Sequence, residues 1–127
     1  MRRLSKSKTR AAVDELESVF KALADKTRLR ILALLGNNEV CVCHLHDSLG
    51  LPQPTVSRHL QVLRKADLVR DTPVAQYVLY RLRRDPGARG RLLSVILDAV
   101  VHDDRGMRSE RDRAADRSRS HTSKRLP

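Results

Sequence analysis

The 127-residue sequence predicts one mainly α-helical domain of about five helices that carries a β-hairpin. Its length is that of a single ordinary domain, which argues against a multidomain enzyme. Four segments before residue 66 repeat apolar residues at helical spacing, and a later segment is strand-like. Apolar residues make up 40% of the chain with one Phe, two Tyr and no Trp, so we expect an aliphatic core.

Four helices are predicted in the first half of the chain. The second begins at Asp25 or Thr27, either of which is a suitable N-cap, and Gly36 ends it. Gly50 closes the third, and Pro54 suits the first turn of the fourth. The predicted ranges are about 14–24, 25–35, 41–49 and 53–65.

After Asp67 the pattern changes to that of strands. Segments 68–71 and 75–82 are β-prone, and residues 71–73 are predicted as the turn between them. A last helix begins near Leu92 and is apolar on most faces. In so small a domain this predicts that a second copy of the chain covers it, which makes a homodimer.

Two helices joined by a short turn and followed by a hairpin form a winged helix-turn-helix, and the second of the two helices then lies in the major groove of double-stranded DNA. With Val56, Leu60 and Leu63 inward, the 100° step per residue predicts an opposite, DNA-facing side. No Asp or Glu occurs in residues 50–66, as an anion-facing helix requires. The side chains expected there are Pro54, Arg58, Gln61 and Lys65, with Gln53, Thr55 and Ser57 at the helix start.

The charge of the chain is concentrated at its ends. The formal net charge is +11, of which residues 1–10 and 105–127 each contribute +5. Both ends are poor in large apolar residues, so we expect mobile basic tails at 1–12 and 105–127 around a domain at 13–104. Basic tails beside a nearly neutral domain indicate a polyanionic partner, and solubility alone is the alternative interpretation.

Several classes of protein are excluded by what the sequence lacks. No apolar run approaches the roughly 20 residues of a membrane span, and no signal peptide is recognised, so we expect a cytoplasmic protein. No nucleophile–base pair or phosphate-binding glycine loop is present, so we expect no enzymatic activity.

Cys41 and Cys43 are the only cysteines. A reducing compartment and the strained spacing of alternate residues argue against a structural disulfide. The pair indicates a soft-metal site or a redox sensor, and two small buried hydrophobes are the alternative.

Four strings of the sequence resemble the ArsR/SmtB family of metal- and metalloid-sensing repressors over residues 15–104. They are KTRLRIL at 26–32, EVCVC at 39–43, QPTVSRHL at 53–60 and LRKADLV at 63–69. The resemblance implies a homodimer on a palindromic operator that represses a detoxification operon until its ligand binds. It also implies a wing at 69–82 and sensor cysteines at Cys41 and Cys43.

The resemblance and the helical faces together supply the candidate site residues. The DNA-binding candidates are Gln53, Thr55, Ser57, Arg58, His59, Gln61 and Arg64. The dimer-interface candidates on the first and last helices are Leu16, Val19, Phe20, Leu93, Ile96, Leu97 and Val100.

Two positions depart from the family pattern. His46 stands where many arsenic sensors have a third cysteine, and Asp67 stands where the recognition helix usually ends in Gly. Asp tolerates the left-handed backbone conformation less well than Gly, but acceptably. His46 lies three residues after Cys43 and is a candidate third ligand.

The chemistry of the cysteines favours As(III) or Sb(III) as inducer, with no permanent cofactor, because soft trivalent centres prefer thiolates. Side chains two apart on a helix point about 200° apart. Binding by Cys41 and Cys43 is therefore predicted to unwind the first turn of their helix and so displace the recognition helix.

Alternative ligands and functions remain open. Cd(II), Pb(II), Zn(II) or thiol oxidation are alternative signals, and a DNA-binding protein without a ligand is a further alternative. Against a zinc sensor, the last helix offers Asp98 and residues 102–104, but near its start only Asp85 and no His.

Overall fold

A computed structural model of the chain describes residues 6–103, which form five helices and three strands. The core is aliphatic, as the composition predicts, and α2 lies at its centre with five consecutive buried residues from Ile31 to Leu35. The elements in chain order are α1 (Lys6–Leu23), α2 (Lys26–Leu35), β1 (Val40–Cys41), α3 (Val42–Leu49), α4 (Gln53–Lys65), β2 (Val69–Val74), β3 (Tyr77–Leu82) and α5 (Ala88–Asp103).

The predicted helix ends are close to those observed for α2, α3 and α4. The Asp25 carboxylate accepts a hydrogen bond from the Arg28 N–H and caps α2. Gly50 ends α3 with φ of 67°, in the left-handed region that favours glycine. α1 and α5 both begin earlier than predicted. α1 starts at Lys6, inside the segment predicted as a tail, because Lys, Arg and Ala there are good helix formers.

The three strands form an antiparallel sheet in the order β1–β3–β2. β1 was not predicted, and it pairs Val40 with Tyr80 and Cys41 with Leu79. The predicted turn at 71–73 is wrong, since Pro73 lies within β2 and the chain turns at Ala75 and the next residue. β2 is an edge strand, where a proline removes no hydrogen bond from the interior of the sheet.

The dimer-interface candidates divide into three groups by their exposure. Val19 and Leu93 are buried in the core of their own chain, with 1% and 5% of their surface exposed, so placing them at an interface was wrong. Leu16 and Phe20 remain exposed at 40% and 53%. Ile96, Leu97 and Val100 are half-buried. On the same two helices, Val13 of α1 and Val95 of α5 are also exposed.

None of the helices in the described part of the chain has the length and apolar character needed to cross a membrane.

Candidate functional site

The start of α4 is open to an anion. Pro52 is the N-cap residue, with extended backbone angles, and Pro54 occupies the first turn. No side chain caps this turn, and the turn contains no acidic residue. The basic side chains of α4 include Arg64 and Lys65 in the last turn. The positive end of the helix dipole is therefore not neutralised, which favours a phosphate there.

The inward and outward faces of α4 agree with the sequence prediction. Val56, Leu60 and Leu63 are fully buried in the core. The predicted DNA-facing residues are exposed or half-buried: Gln53, Pro54, Arg58, Gln61, Arg64 and Lys65 are exposed, whereas Thr55 and Ser57 are half-buried.

His59, one of the predicted DNA contacts, faces its own chain. Its side chain is only 22% exposed and points toward the start of α2. The Nδ1 atom lies 3.4 Å from Nη1 of Arg28 and 3.9 Å from a carboxylate oxygen of Asp25. His59 lies on a flank of α4 and not on its outward face. Its ring is therefore close to Arg28 and Asp25 of the same chain.

Arg64 connects α4 to the hairpin. Its guanidinium lies 3.6 Å from the Asp71 carboxylate on β2, although half of the Arg64 side chain remains exposed. Asp71 pairs with Tyr80 in the sheet. Burial raises the pKa of the Tyr80 hydroxyl, and the nearby Asp71 charge raises it further.

The two cysteines lie where β1 passes into α3. Cys41 is the N-cap residue of α3, with φ of −66° and ψ of 142°, and its sulfur accepts a hydrogen bond from the Cys43 N–H at 3.3 Å. The Cα atoms are 5.3 Å apart, and a disulfide joins the two sulfurs. The expectation against a disulfide was wrong, because the bend from strand to helix brings together side chains that a continuous helix would separate.

The same bend corrects the unwinding mechanism. Cys41 belongs to the extended strand and not to the first helical turn, so its sulfur already lies beside that of Cys43. A ligand shared by the two sulfurs therefore requires no unwinding of α3.

The cysteine pair opens onto a cleft of about 350 Å³ that we call the cysteine cleft. One wall is a stripe of α4 with side chains four residues apart. The opposite wall is the end of the hairpin. The lining residues are Cys41, Val42, Cys43, Gln53, Ser57, Gln61, Gln76, Tyr77, Val78 and Tyr80. The spacing of Gln53, Ser57 and Gln61 was visible in the sequence, but nothing in the sequence placed the cysteines beside them.

Comparisons with known proteins agree with this fold. Residues 25–71 match the family of bacterial regulatory proteins called the arsR family. The homodimeric winged helix-turn-helix DNA-binding domain of a possible ArsR-family regulator from Mycobacterium bovis is 30% identical, with a TM-score of 0.64, and the match covers 80% of this chain and 95% of that one. The chain belongs to the arsR family. This family and its fold are those of DNA-binding transcriptional regulators and not of enzymes.

Two curated members of the arsR family show which regulators the chain is similar to. The arsenic resistance transcriptional regulator ArsR1 of Pseudomonas putida is 43% identical over 83 residues, or 64% of this chain. The transcriptional repressor SmtB of Mycobacterium tuberculosis is 38% identical over 93 residues, or 73% of this chain. The aligned segment spans 65% of the length of each relative.

The other ligand candidates of this arsR-family chain lie apart from the cysteine cleft. His46 is half-buried on α3 and does not line the cleft. Asp85 accepts a hydrogen bond from the Gly87 N–H and lies 3.7 Å from Arg89. Asp98 is exposed, whereas the side chains of residues 102–104 lie outside the described part of the chain. Within that part, no three His, Cys, Asp or Glu side chains form a metal site.

Asp67, the second departure from the family pattern, adopts the left-handed conformation predicted for it, with φ of 64°. Its carboxylate forms ion pairs with Arg83 and Arg89, and Arg89 also pairs with Glu15 of α1. The carboxylate thus connects the end of α4 to the residue that follows β3 and to α5, which a glycine at this position would not do.

Proposed function

We propose that this chain is a homodimeric transcriptional repressor that leaves its operator DNA when trivalent arsenic or antimony binds Cys41 and Cys43. The observation that carries the proposal is the cysteine cleft, in which the sulfur pair and one flank of α4 face each other. Similarity to an arsenic resistance regulator supports the choice of ligand, and similarity to the repressor SmtB supports repression.

The proposed DNA contact is made by α4. The exposed Arg58 and Gln61 suit guanine and adenine edges, and the uncapped helix start suits a phosphate. Gln53, Thr55 and Ser57 lie at the end of the helix that enters the groove first, and Arg64 contributes positive charge while it remains paired with Asp71.

The proposed dimer joins α1 and α5 of two chains. Leu16 and Phe20 of α1 expose apolar surface that no other residue among 6–103 of the same chain covers, as does Val95 of α5. Ile96, Leu97 and Val100 are half-buried and lose further exposure in such a dimer. The homodimeric state of the M. bovis domain supports a homodimer. Two copies of α4 would then contact a palindromic operator in successive major grooves. In this proposal residues 13–104 form the DNA-binding and dimerisation unit.

The ligand chemistry requires the reduced cysteines. Each of two thiols replaces one hydroxyl of arsenous acid, so that two As–S bonds form and two water molecules leave. Soft trivalent arsenic prefers thiolate to the amide and hydroxyl groups that line the rest of the cleft. The Cys43 N–H at Cys41 and the start of α3 favour negative charge on the sulfur. The third position on arsenic keeps a hydroxyl group, since the sequence holds no third cysteine.

Coupling to DNA follows from shared space. A ligand on the two sulfurs lies against Gln53, Ser57 and Gln61, so it changes the position of side chains that DNA also needs. Ligand and DNA then favour different arrangements of the same cleft. Each therefore lowers the binding affinity of the other by the same factor. Coupling of this kind is commonly about 5–150-fold.

A second candidate signal is oxidation of the cysteines. The disulfide between Cys41 and Cys43 favours it. In that reaction two thiols lose two electrons and two protons to an oxidant such as a peroxide. Cd(II), Pb(II) and Zn(II) have weaker support, because these ions usually take further protein ligands, and His46 does not line the cleft.

A gel-shift experiment tests these alternatives. The full chain, reduced with a phosphine because a dithiol would bind arsenic itself, is mixed with the DNA upstream of its own coding sequence. We expect a shifted band that arsenite or antimonite removes. The Cys43→Ser variant should bind the same DNA and remain bound when arsenite is added. Separate lanes contain cadmium, lead, zinc and, without reductant, hydrogen peroxide.

Each result decides between the candidates. Wild-type protein that remains on DNA with one arsenic bound per chain contradicts the arsenic proposal. Release by peroxide but not by arsenite favours the redox candidate, and release by a divalent ion alone favours that ion. Failure to bind any specific DNA contradicts the repressor assignment.

A further inference from the structure

The flank of α4 that faces away from the cysteine cleft is attached to two other helices by a cluster of three polar side chains, Asp25, Arg28 and His59, which we call the polar triad. All three are at most one-third exposed, at 33%, 16% and 22%. His59 approaches both Arg28 and Asp25 with its Nδ1 atom. The one titratable group of α4 on this flank therefore faces the protein and not the solvent.

Arg28 extends the triad to the end of α1. Its Nε atom donates to the carbonyl of Ala22 at 2.6 Å, and its Nη2 atom donates to the carbonyl of Lys21 at 3.0 Å. The Arg28 backbone N–H donates to Asp25, the N-cap of α2. Helices α1, α2 and α4 thus meet at one guanidinium, and α1 also carries the exposed Leu16 and Phe20.

The contact between Arg28 and His59 is possible in one protonation state of the ring. A guanidinium has only donors, so Nδ1 of His59 must accept, and the ring must be neutral with its proton on Nε2. The apolar contacts of Val56, Leu60 and Leu63 hold α4 in the core, but such contacts have little directional preference. A hydrogen bond on the flank is directional and restricts rotation of the helix about its axis.

We propose that His59 is a positioning residue for DNA recognition, which sets the rotation of α4 through Arg28 and makes no contact with DNA itself. The inference rests on the proposed DNA-binding function. A rotated α4 would move Arg58 and Gln61 away from the base edges in both half-sites of a palindrome. Loss of the hydrogen bond therefore weakens operator binding without removing a charge from the interface.

A double-mutant cycle on the full-length dimer tests this role, with the upstream DNA fragment as the probe. We expect His59→Leu to weaken binding about tenfold, the value of a hydrogen bond to a charged group. His59→Asn keeps an acceptor at nearly the same position, so its binding should stay within about threefold of wild type. In an Arg28→Lys background, where the guanidinium is already absent, His59→Leu should add less than about a twofold loss.

Salt dependence supplies a matched control on the same helix. Arg58→Ala removes a cation from the proposed interface and should reduce the slope of log affinity against log salt by about 1 for each phosphate that is no longer neutralised. His59→Leu and His59→Asn should leave this slope unchanged. Thermal unfolding of each variant verifies that it is folded at the assay temperature.

The outcomes separate the inference from the proposed function. If wild-type protein binds no specific DNA, the proposed function fails. If wild type binds and His59→Leu lowers the operator affinity tenfold in both the wild-type and the Arg28→Lys backgrounds, His59 contacts DNA directly and the inference is wrong. Should His59→Leu fail to fold, ¹⁵N spectra of labelled histidine, assigned with His59→Asn, still decide, because a proton on Nδ1 contradicts the bond to Arg28.

Discussion

The two flanks of α4 differ in what holds them. One flank, formed by Gln53, Ser57 and Gln61, faces the open cysteine cleft. The other flank carries His59 and is attached to Arg28 and Asp25 by polar contacts. A ligand can enter at the first flank, whereas the second is already occupied by the protein.

This difference indicates how one helix can be both stable and responsive. In the proposed mechanism the attached flank holds α4 against α1 and α2, so that a ligand in the cysteine cleft would move side chains on the open flank without releasing the helix. Regions that respond to ligands are generally the less stable parts of a fold. Variants in the core, at the end of the helix and on each flank test this division.

The largest expected effect comes from the core residue on which both flanks depend. Leu60 is fully buried between them, so Leu60→Ala should lower the free energy of unfolding by about 2–5 kcal/mol. Val62 on the same helix is 40% exposed, and Val62→Ala should change the free energy of unfolding by less than about 0.5 kcal/mol. Urea denaturation at one protein concentration measures both variants. Equal losses of stability would contradict the inward packing of Leu60.

A smaller loss is expected at the end of α4. Asp67→Ala places an alanine at φ of 64° and removes the carboxylate that pairs with Arg83 and Arg89, so it should cost about 2 kcal/mol. Asn tolerates this backbone conformation, and Asp67→Asn should cost less than about 1 kcal/mol because the ion pairs it removes are half-exposed. Chemical denaturation compares the two variants. An asparagine as costly as alanine would show that charge, and not backbone strain, dominates here.

The attached flank should respond to loss of the cap at Asp25. The hydrogen bond from the Arg28 N–H, opposed by burial and aided by the Arg28 charge, holds the pKa of the Asp25 carboxyl below its usual 3.8. Asp25→Ala should cost about 1 kcal/mol at pH 7. Because the folded pKa is lowered, the carboxylate stabilises the fold fully above the usual pKa and less as pH falls through the folded value.

The Asp25→Asn variant separates the effect of the negative charge on stability from the effect of the capping hydrogen bond. Asp25→Asn retains a capping oxygen, so its difference from wild type at pH 7 should be smaller than that of alanine. That difference should decrease further below about pH 4, in thermal unfolding measured across pH. A difference that grows on acidification would contradict the lowered pKa.

The smallest effect is expected on the open flank. Ser57→Val adds apolar volume to the wall of the cysteine cleft and should weaken arsenite binding by the DNA-free protein about threefold, measured by thiolate–arsenic absorbance. Thr55→Val is the matched control, since Thr55 does not line the cleft. Equal weakening in both variants would contradict a ligand position beside Ser57.

Much of the fold could be predicted from the sequence because its signals are local. The spacing of Val56, Leu60 and Leu63 determines which face of α4 is buried, and Asp25 and Gly50 mark helix ends through local hydrogen bonds and backbone freedom. The family, likewise, was identified from strings of adjacent residues, and this identification is confirmed.

Non-local contacts account for the errors. β1 is only two residues long and exists through pairing with β3, so no periodicity could indicate it. Without β1, Cys41 was placed in a helix, and both the disulfide and the geometry of the pair were missed. Val19 and Leu93 were assigned to an interface because an apolar residue does not indicate whether its own chain or a partner covers it.

The sequence by itself determined the helices, the buried stripe of α4 and the family, since these depend on side chains a few residues apart. Only the tertiary structure decided that Cys41 and Cys43 share a cleft with Gln53, Ser57 and Gln61. It also decided that His59 contacts a guanidinium 31 residues away. The physical reason is that contacts between distant segments depend on how the elements pack together, which the local pattern of a chain does not specify.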